Sequence, residues 1–291
     1  MSETKTETIT ETEEKEKTKK SGKQTARRIV ESALMIAVAT GLSIVKLMDL
    51  PYGGSVTLAS MLPLIIIAYR YGLRWGLLTG FVYGIIQQLL GLDNLSYVTT
   101  WQSVLAVILL DYLIAYAVTG IGGIFKQAMP QHRALTGGAV VVCILRYACH
   151  VFSGATVWAG LSIPTSAALA YSLGYNATYM IPETIVTVAA AYYIGSLIDF
   201  RNETIGYYRK EKKKSYPIIR GVAGLLIVAA VVFDSIQIFA HLQNEKTGLF
   251  DAAGLADVNW LLVSLVSGVA VLIAVMLYII TKKQKDDKKL N

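Results

Sequence analysis

Apolar residues run along this chain in long blocks separated by short polar connections. Each block approaches the length, about 20 residues, that a helix needs to cross a bilayer. The blocks fall near 28–48, 55–70, 73–91, 101–124, 135–160, 166–198, 218–240 and 258–281, which predicts eight spans. The second is short and carries Pro63, which leaves its boundaries the least defined.

The polar stretches organise the rest. Residues 1–27, opening "MSETKTETITETEEKEKTKK", are a Thr/Glu/Lys tract with almost no apolar content. Such a tract cannot bury a core and is expected to be a disordered tail. It does not read as a secretory signal, because the first apolar stretch runs on as a full span. Lysine and arginine then alternate between sides. One side collects the tract, Arg70, Arg74, Lys126, Arg133, a basic linker over 199–217 and a basic tail over 282–291; the other has only Lys46 and Lys246. That bias predicts both termini in the cytoplasm. The linker is also a seam. It divides a region rich in polar inclusions, 28–198, from two final spans over 218–281, whose one ionisable residue well inside is Asp234. The expected fold is an all-α polytopic membrane protein, a six-helix bundle followed by a two-helix transmembrane hairpin.

Composition agrees with this and excludes alternatives. The chain of 291 residues is 54% hydrophobic and 16% charged, with mean hydropathy +0.50, unlike a soluble domain. Its net charge of +7 lies in the connections and leaves no basic domain to grip nucleic acid. Cys143 and Cys149, on different faces of one predicted helix, are poorly placed to pair.

Charged side chains inside a span are costly and face a cavity or a partner. Counted from the outer helix ends, Asp111, His150 and Asn176 each lie about 15 Å deep, on three different helices. Trp158, Tyr171 and Tyr175 lie above that level. Arg146 and Glu183 share a deeper one, at about 20 to 25 Å, which predicts a buried ion pair across the floor. Arg146, His150, Gly154 and Trp158 repeat every fourth residue and form one helix face, with Gly154 expected to leave room for a ligand. Each feature also has an ordinary structural reading: interfacial anchoring for the aromatics, helix packing for His150. A carboxylate at mid-depth beneath aromatic faces suits a small cationic heterocycle with an exocyclic amine.

At these residues the chain resembles a known family. "GGSVTLASMLPLIIIAYRYG", "LLDYLIAYAVTGIGGIF", "LRYACHVFSGATVW" and "YSLGYNATYMIPE" are similar, in order, to the thiamine-specific substrate-binding (S) components of energy-coupling factor (ECF) transporters, the ThiT (YuaJ-like) family. The resemblance covers about residues 28–198. It implies a six-helix S-component bundle that captures thiamine from outside, catalyses nothing and needs no cofactor. Uptake would be driven by a transmembrane coupling protein and two ABC-type ATPase subunits. Carried over by motif, Asp111 would contact the aminopyrimidine, His150, Tyr171 and Asn176 the pocket, Tyr112 would sit beside the ligand and Trp158 would stack on the thiazolium. Some members place a tryptophan in the loop after the first span, where this chain has only Tyr52. Small residues Ala33, Ala37 and Gly41 on the first span allow close helix approach, either for docking on the coupling protein or for packing inside the bundle. The final two spans lie outside the resemblance; lipid or another subunit would be their neighbour.

Other readings remain. An S component for another vitamin or precursor, such as hydroxymethylpyrimidine, keeps the fold, but would be favoured by loss of Trp158. A membrane-embedded enzyme could use Asp111 and His150 as an acid/base pair, yet the spans show no metal-ligand set or phosphate loop. A transporter working alone by alternating access predicts inverted repeats, and none is evident.

Overall fold

The structure, a computed structural model, describes residues 3–50, 53–160, 165–207, 217–242 and 252–290. Its helices are α1 (Glu3–Ile44), α2 (Leu62–Tyr71), α3 (Leu73–Leu90), α4 (Trp101–Gly123), α5 (Gln131–Gly160), α6 (Thr165–Leu197), α7 (Pro217–Phe239) and α8 (Trp260–Leu290). Two short antiparallel ribbons accompany them, β1 (Lys46–Asp49) with β2 (Ser55–Thr57) and β3 (Ile198–Asp199) with β4 (Gly206–Tyr207). Among the described residues five helices, α4 to α8, are long and apolar enough to cross a membrane. The protein is therefore an all-α, multi-pass membrane protein.

Five of the eight expected spans meet that measure; α1 and α3 are helices where expected but more polar, and only the second span is reshaped. α1 carries Arg27, Arg28 and Glu31 at the start of its apolar stretch, and Gln87 and Gln88 make α3 more polar. The block at 55–70 is not one span: it enters as strand β2, turns at Ala59 with φ of 55°, and only then forms the ten-residue α2. Pro63 lies in the first turn of α2, where its missing N–H costs no helical bond. Leu62 to Tyr69 are all buried, so α2 is the centre of the bundle and has no lipid-facing side. Gly72, with φ of 86°, then reverses the chain into α3.

The tract at 1–27 also differs from expectation. α1 begins at Glu3 and continues through it as helix; the tract has no Gly or Pro before Gly22 and is rich in residues of good helix propensity. The linker over 199–217 holds the β3–β4 ribbon, and α8 runs on to Leu290 through the basic tail.

Close packing of α3 on α4 comes from three glycines. A Cβ on Gly80 would lie 2.2 Å from the Tyr116 carbonyl oxygen, and one on Gly84 would lie 2.7 Å from that of Tyr112. Gly76 is equally tight against Gly120. Backbones at this separation leave no room for side chains, as in membrane helix pairs built on small residues.

One end of the bundle is tied by a polar network. Arg70 donates to both carboxylate oxygens of Glu31 and to the carbonyls of Phe200, Asn202 and Glu203, while Tyr71 donates to Glu31 at 2.6 Å. Lys126 Nζ donates to the Arg70 carbonyl there as well. α7 packs against α6, and α8 packs chiefly against α7. The carboxylate of Asp234 accepts from Ser267 across that hairpin.

Candidate functional site

A cavity of about 410 Å³ opens between α4, α5 and α6 beneath the β1–β2 ribbon. Asp111 reaches it from α4 because that helix widens into a π-helical stretch over Val107–Ile114. Such widening is a frequent mark of functional sites. The wide turn lies over Gly84, whose lack of a side chain admits the Tyr112 carbonyl.

Asp111 is the hub of the cavity wall. Its Oδ1 lies 2.8 Å from His150 Nδ1, and its Oδ2 accepts from the Ser153 hydroxyl at 2.7 Å. His150 and Ser153 are both buried on α5. Asn176 follows from α6, donating to the His150 carbonyl at 3.3 Å. The three polar residues expected at one depth therefore meet. Asn176 is committed further to packing: it donates to Ser172, and its amide oxygen accepts from Tyr179.

The aromatic wall is Trp158, Tyr175 and Tyr179, all buried and all lining the cavity. Their rings meet edge to face, with centroids 5.4 Å apart for Trp158 and Tyr175 and 6.0 Å for Tyr175 and Tyr179. Tyr171 does not line the cavity. It stands behind Trp158 at 4.6 Å and supports that indole. Tyr112 sits at the mouth, where its hydroxyl accepts from Asn94 at 2.8 Å.

One expectation is corrected here. Arg146 and Glu183 both line the cavity and their charges act on each other, but among the described residues no salt bridge within 4 Å joins them. Glu183 accepts from the Thr57 backbone N–H at 2.6 Å and from the Thr57 hydroxyl at 2.8 Å. Thr57 ends β2, where the chain runs non-helically inside the bundle, and a buried backbone N–H there must find a partner. Glu183 supplies it. Arg146 instead lies 4.4 Å over the Tyr116 ring and 3.4 Å from His150 Nε2. Gly154 lines the cavity as expected, and it also serves the close approach of α5 and α6, because a Cβ there would meet Ser172 Oγ at 2.4 Å.

The mouth is roofed by the β1–β2 ribbon and the turn Leu92–Tyr97. The Gly54 backbone N–H donates to the Tyr175 hydroxyl, which fastens the ribbon to the aromatic wall. Tyr52 falls outside the described residues. Ala33, Ala37 and Gly41 are exposed, and nothing lies within 4 Å of a Cβ placed on Gly41, so this face does not pack inside the bundle. Cys143 and Cys149 are both free.

Ser153, Tyr116, Thr57 and Asn94 are site residues the sequence reading does not single out. Ser153 lies three residues from His150, so helical spacing carried a signal for it, as it did for Tyr179, which repeats every fourth residue after Tyr171 and Tyr175. Thr57 and Asn94 come from the ribbon and the turn, where periodicity gives none.

A polar and aromatic cavity enclosed by membrane helices defines a binding site of the kind a small-molecule membrane transporter needs. Residues 29–199 match the family described as Thiamine transporter protein (Thia_YuaJ), and the chain belongs to that family. It is 36% identical over 171 residues to the thiamine transporter ThiT of Bacillus subtilis (strain 168), a match covering 55% of this chain and 85% of that one. The family match ends before α7, so the final hairpin lies outside it.

Proposed function

We propose that this protein is the thiamine-binding subunit of an ECF-type transporter, capturing thiamine in the α4–α6 cavity for uptake driven by partner subunits. The observation that carries the reading is the fixed carboxylate of Asp111 facing buried Trp158, Tyr175 and Tyr179 in a cavity of about 410 Å³. Thiamine joins an aminopyrimidine to a cationic thiazolium. Asp111 accepts hydrogen bonds from the exocyclic amine, and the aromatic faces stabilise the cation. His150 and Tyr112 complete the polar contacts, while Tyr171 and Asn176 act by holding Trp158 and the α5–α6 seam.

The chain acts as a binding subunit and not as an enzyme, with no cofactor of its own. Asp111 and His150 are engaged with each other and with Ser153, an arrangement suited to holding a ligand. Energy comes from a transmembrane coupling protein and two ABC-type ATPases. The exposed Ala33, Ala37 and Gly41 face of α1 suits docking on the coupling protein, because small residues let another helix approach closely. Arg70, Lys126 and the segment after α6 gather at one end and Lys46 lies at the cavity end, which supports cytoplasmic termini and an outward-facing mouth. Lipid is the remaining neighbour, and no nucleic acid is involved.

Uptake of labelled thiamine into cells supplying the coupling protein and ATPases tests the reading. Ala37→Trp is expected to keep thiamine binding and abolish uptake. Loss of binding would place Ala37 in the bundle, and full uptake would remove the docking face. Hydroxymethylpyrimidine that competes as well as thiamine would move the ligand to that precursor.

A further inference from the structure

We propose that Arg146 is a positioning residue that fixes the tautomer of His150, placing the single ring proton on Nδ1 and directing it at Asp111. A guanidinium has only N–H donors, so a ring nitrogen facing it must offer a lone pair. Arg146 Nη2 lies 3.4 Å from His150 Nε2, which makes Nε2 the acceptor. The other nitrogen, Nδ1, lies 2.8 Å from Asp111 Oδ1, and a carboxylate oxygen accepts. Both ends of the ring thus assign the same tautomer. The alternative sets N–H against N–H at one end and lone pair against carboxylate at the other.

Arg146 is itself fixed for this task. It is buried, one turn before His150 on α5, with its guanidinium 4.4 Å over the Tyr116 ring. Its Nε has no hydrogen-bond partner among the described residues, and the carboxylate of Glu183 is occupied by Thr57. The other groups around the imidazole are accounted for. Tyr179 meets the ring edge from α6 at 6.0 Å, and Asn176 donates to the His150 backbone. The result is a chain of contacts, Arg146 to His150 to Asp111, closed by Ser153 on the second carboxylate oxygen. It holds the Asp111 plane while each oxygen keeps a further lone pair for a ligand N–H. The positioning role rests on the thiamine reading above; the tautomer does not.

The test uses the full chain in detergent, ¹⁵N-labelled at histidine, in mildly alkaline buffer without ligand. Long-range ¹H–¹⁵N spectra distinguish a protonated ring nitrogen from one with a free lone pair, and His150→Gln assigns the His150 signals. The expected parent signature is a proton on Nδ1 and a lone pair on Nε2. Arg146→Met leaves only the Asp111 end to hold the ring, so it should mix the signature and weaken thiamine binding about tenfold or more, as for loss of a hydrogen bond to a charged group. Arg146→Lys, which also only donates, should restore the signature and bring binding back to within about threefold. A parent ring protonated on Nε2, or an Arg146→Met signature equal to the parent's, would overturn the proposal. If Arg146→Met does not fold, an Arg146→Lys signature that differs from the parent's overturns the proposal, and an equal one supports it. A parent with the Nδ1 proton that binds no thiamine would overturn the ligand assignment and leave the tautomer standing.

Discussion

A carboxylate at mid-membrane depth is stable only where its oxygens are occupied, and Asp111 has a donor on each, His150 Nδ1 and Ser153 Oγ. The residues around it are constrained as tightly by packing as by charge. Gly154 has Ser172 Oγ where its side chain would begin. Gly154→Ala should therefore cost about 1 to 3 kcal/mol and part α5 from α6 at the site. Thermal denaturation in detergent with and without thiamine checks this; an unchanged midpoint would show that Ser172 gives way freely. The convergence of Asp111, His150 and Asn176 was legible in the sequence because helix rise converts position directly into depth. The Arg146–Glu183 pair was not correctly legible from the same count. Depth does not report what else competes for a carboxylate, and Thr57 comes from a strand that helical counting cannot place.

Among the elements, α2 is the one whose length decides the architecture. Ten residues, eight of them buried, cannot cross a bilayer alone, so the chain completes the crossing with β2 and the turn at Ala59 inside the protein. That broken crossing brings Gly54 to the Tyr175 hydroxyl and Thr57 to Glu183, and so builds the cavity roof. Its far end is held by Arg70, which links α2 to α1 and to the segment after α6. Arg70→Ala removes the donors to Glu31 and to three carbonyls at a site only 4% exposed. It should lower stability by about 3 kcal/mol. A melting temperature within error of the parent's would mean that Arg27 and Tyr71 suffice for Glu31. The apolar block gave α2 away only partly, since burial and lipid exposure produce the same run of Leu and Ile. The π-helical widening around Asp111 left no sequence signal, although Gly76, Gly80 and Gly84, spaced by four, marked the helix face that accommodates it.

At the scale of the whole molecule, the cavity is built entirely within residues 43–183, and the matched family region ends at residue 199. The α7–α8 hairpin leans on α6, and its described residues contribute nothing to the cavity lining. A chain ending after Tyr207 should bind thiamine with an affinity within about threefold of the full chain, while a loss beyond about tenfold would tie the hairpin to the site. The central claim is that Asp111 and the aromatic wall together hold thiamine. It is tested most directly by titrating thiamine into the purified protein while following tryptophan fluorescence, with Asp111→Ala and Trp158→Ala alongside. Saturable quenching in the parent, no binding by Asp111→Ala and loss of the quenching signal in Trp158→Ala are predicted; equal saturable quenching in the parent and both variants would contradict the account.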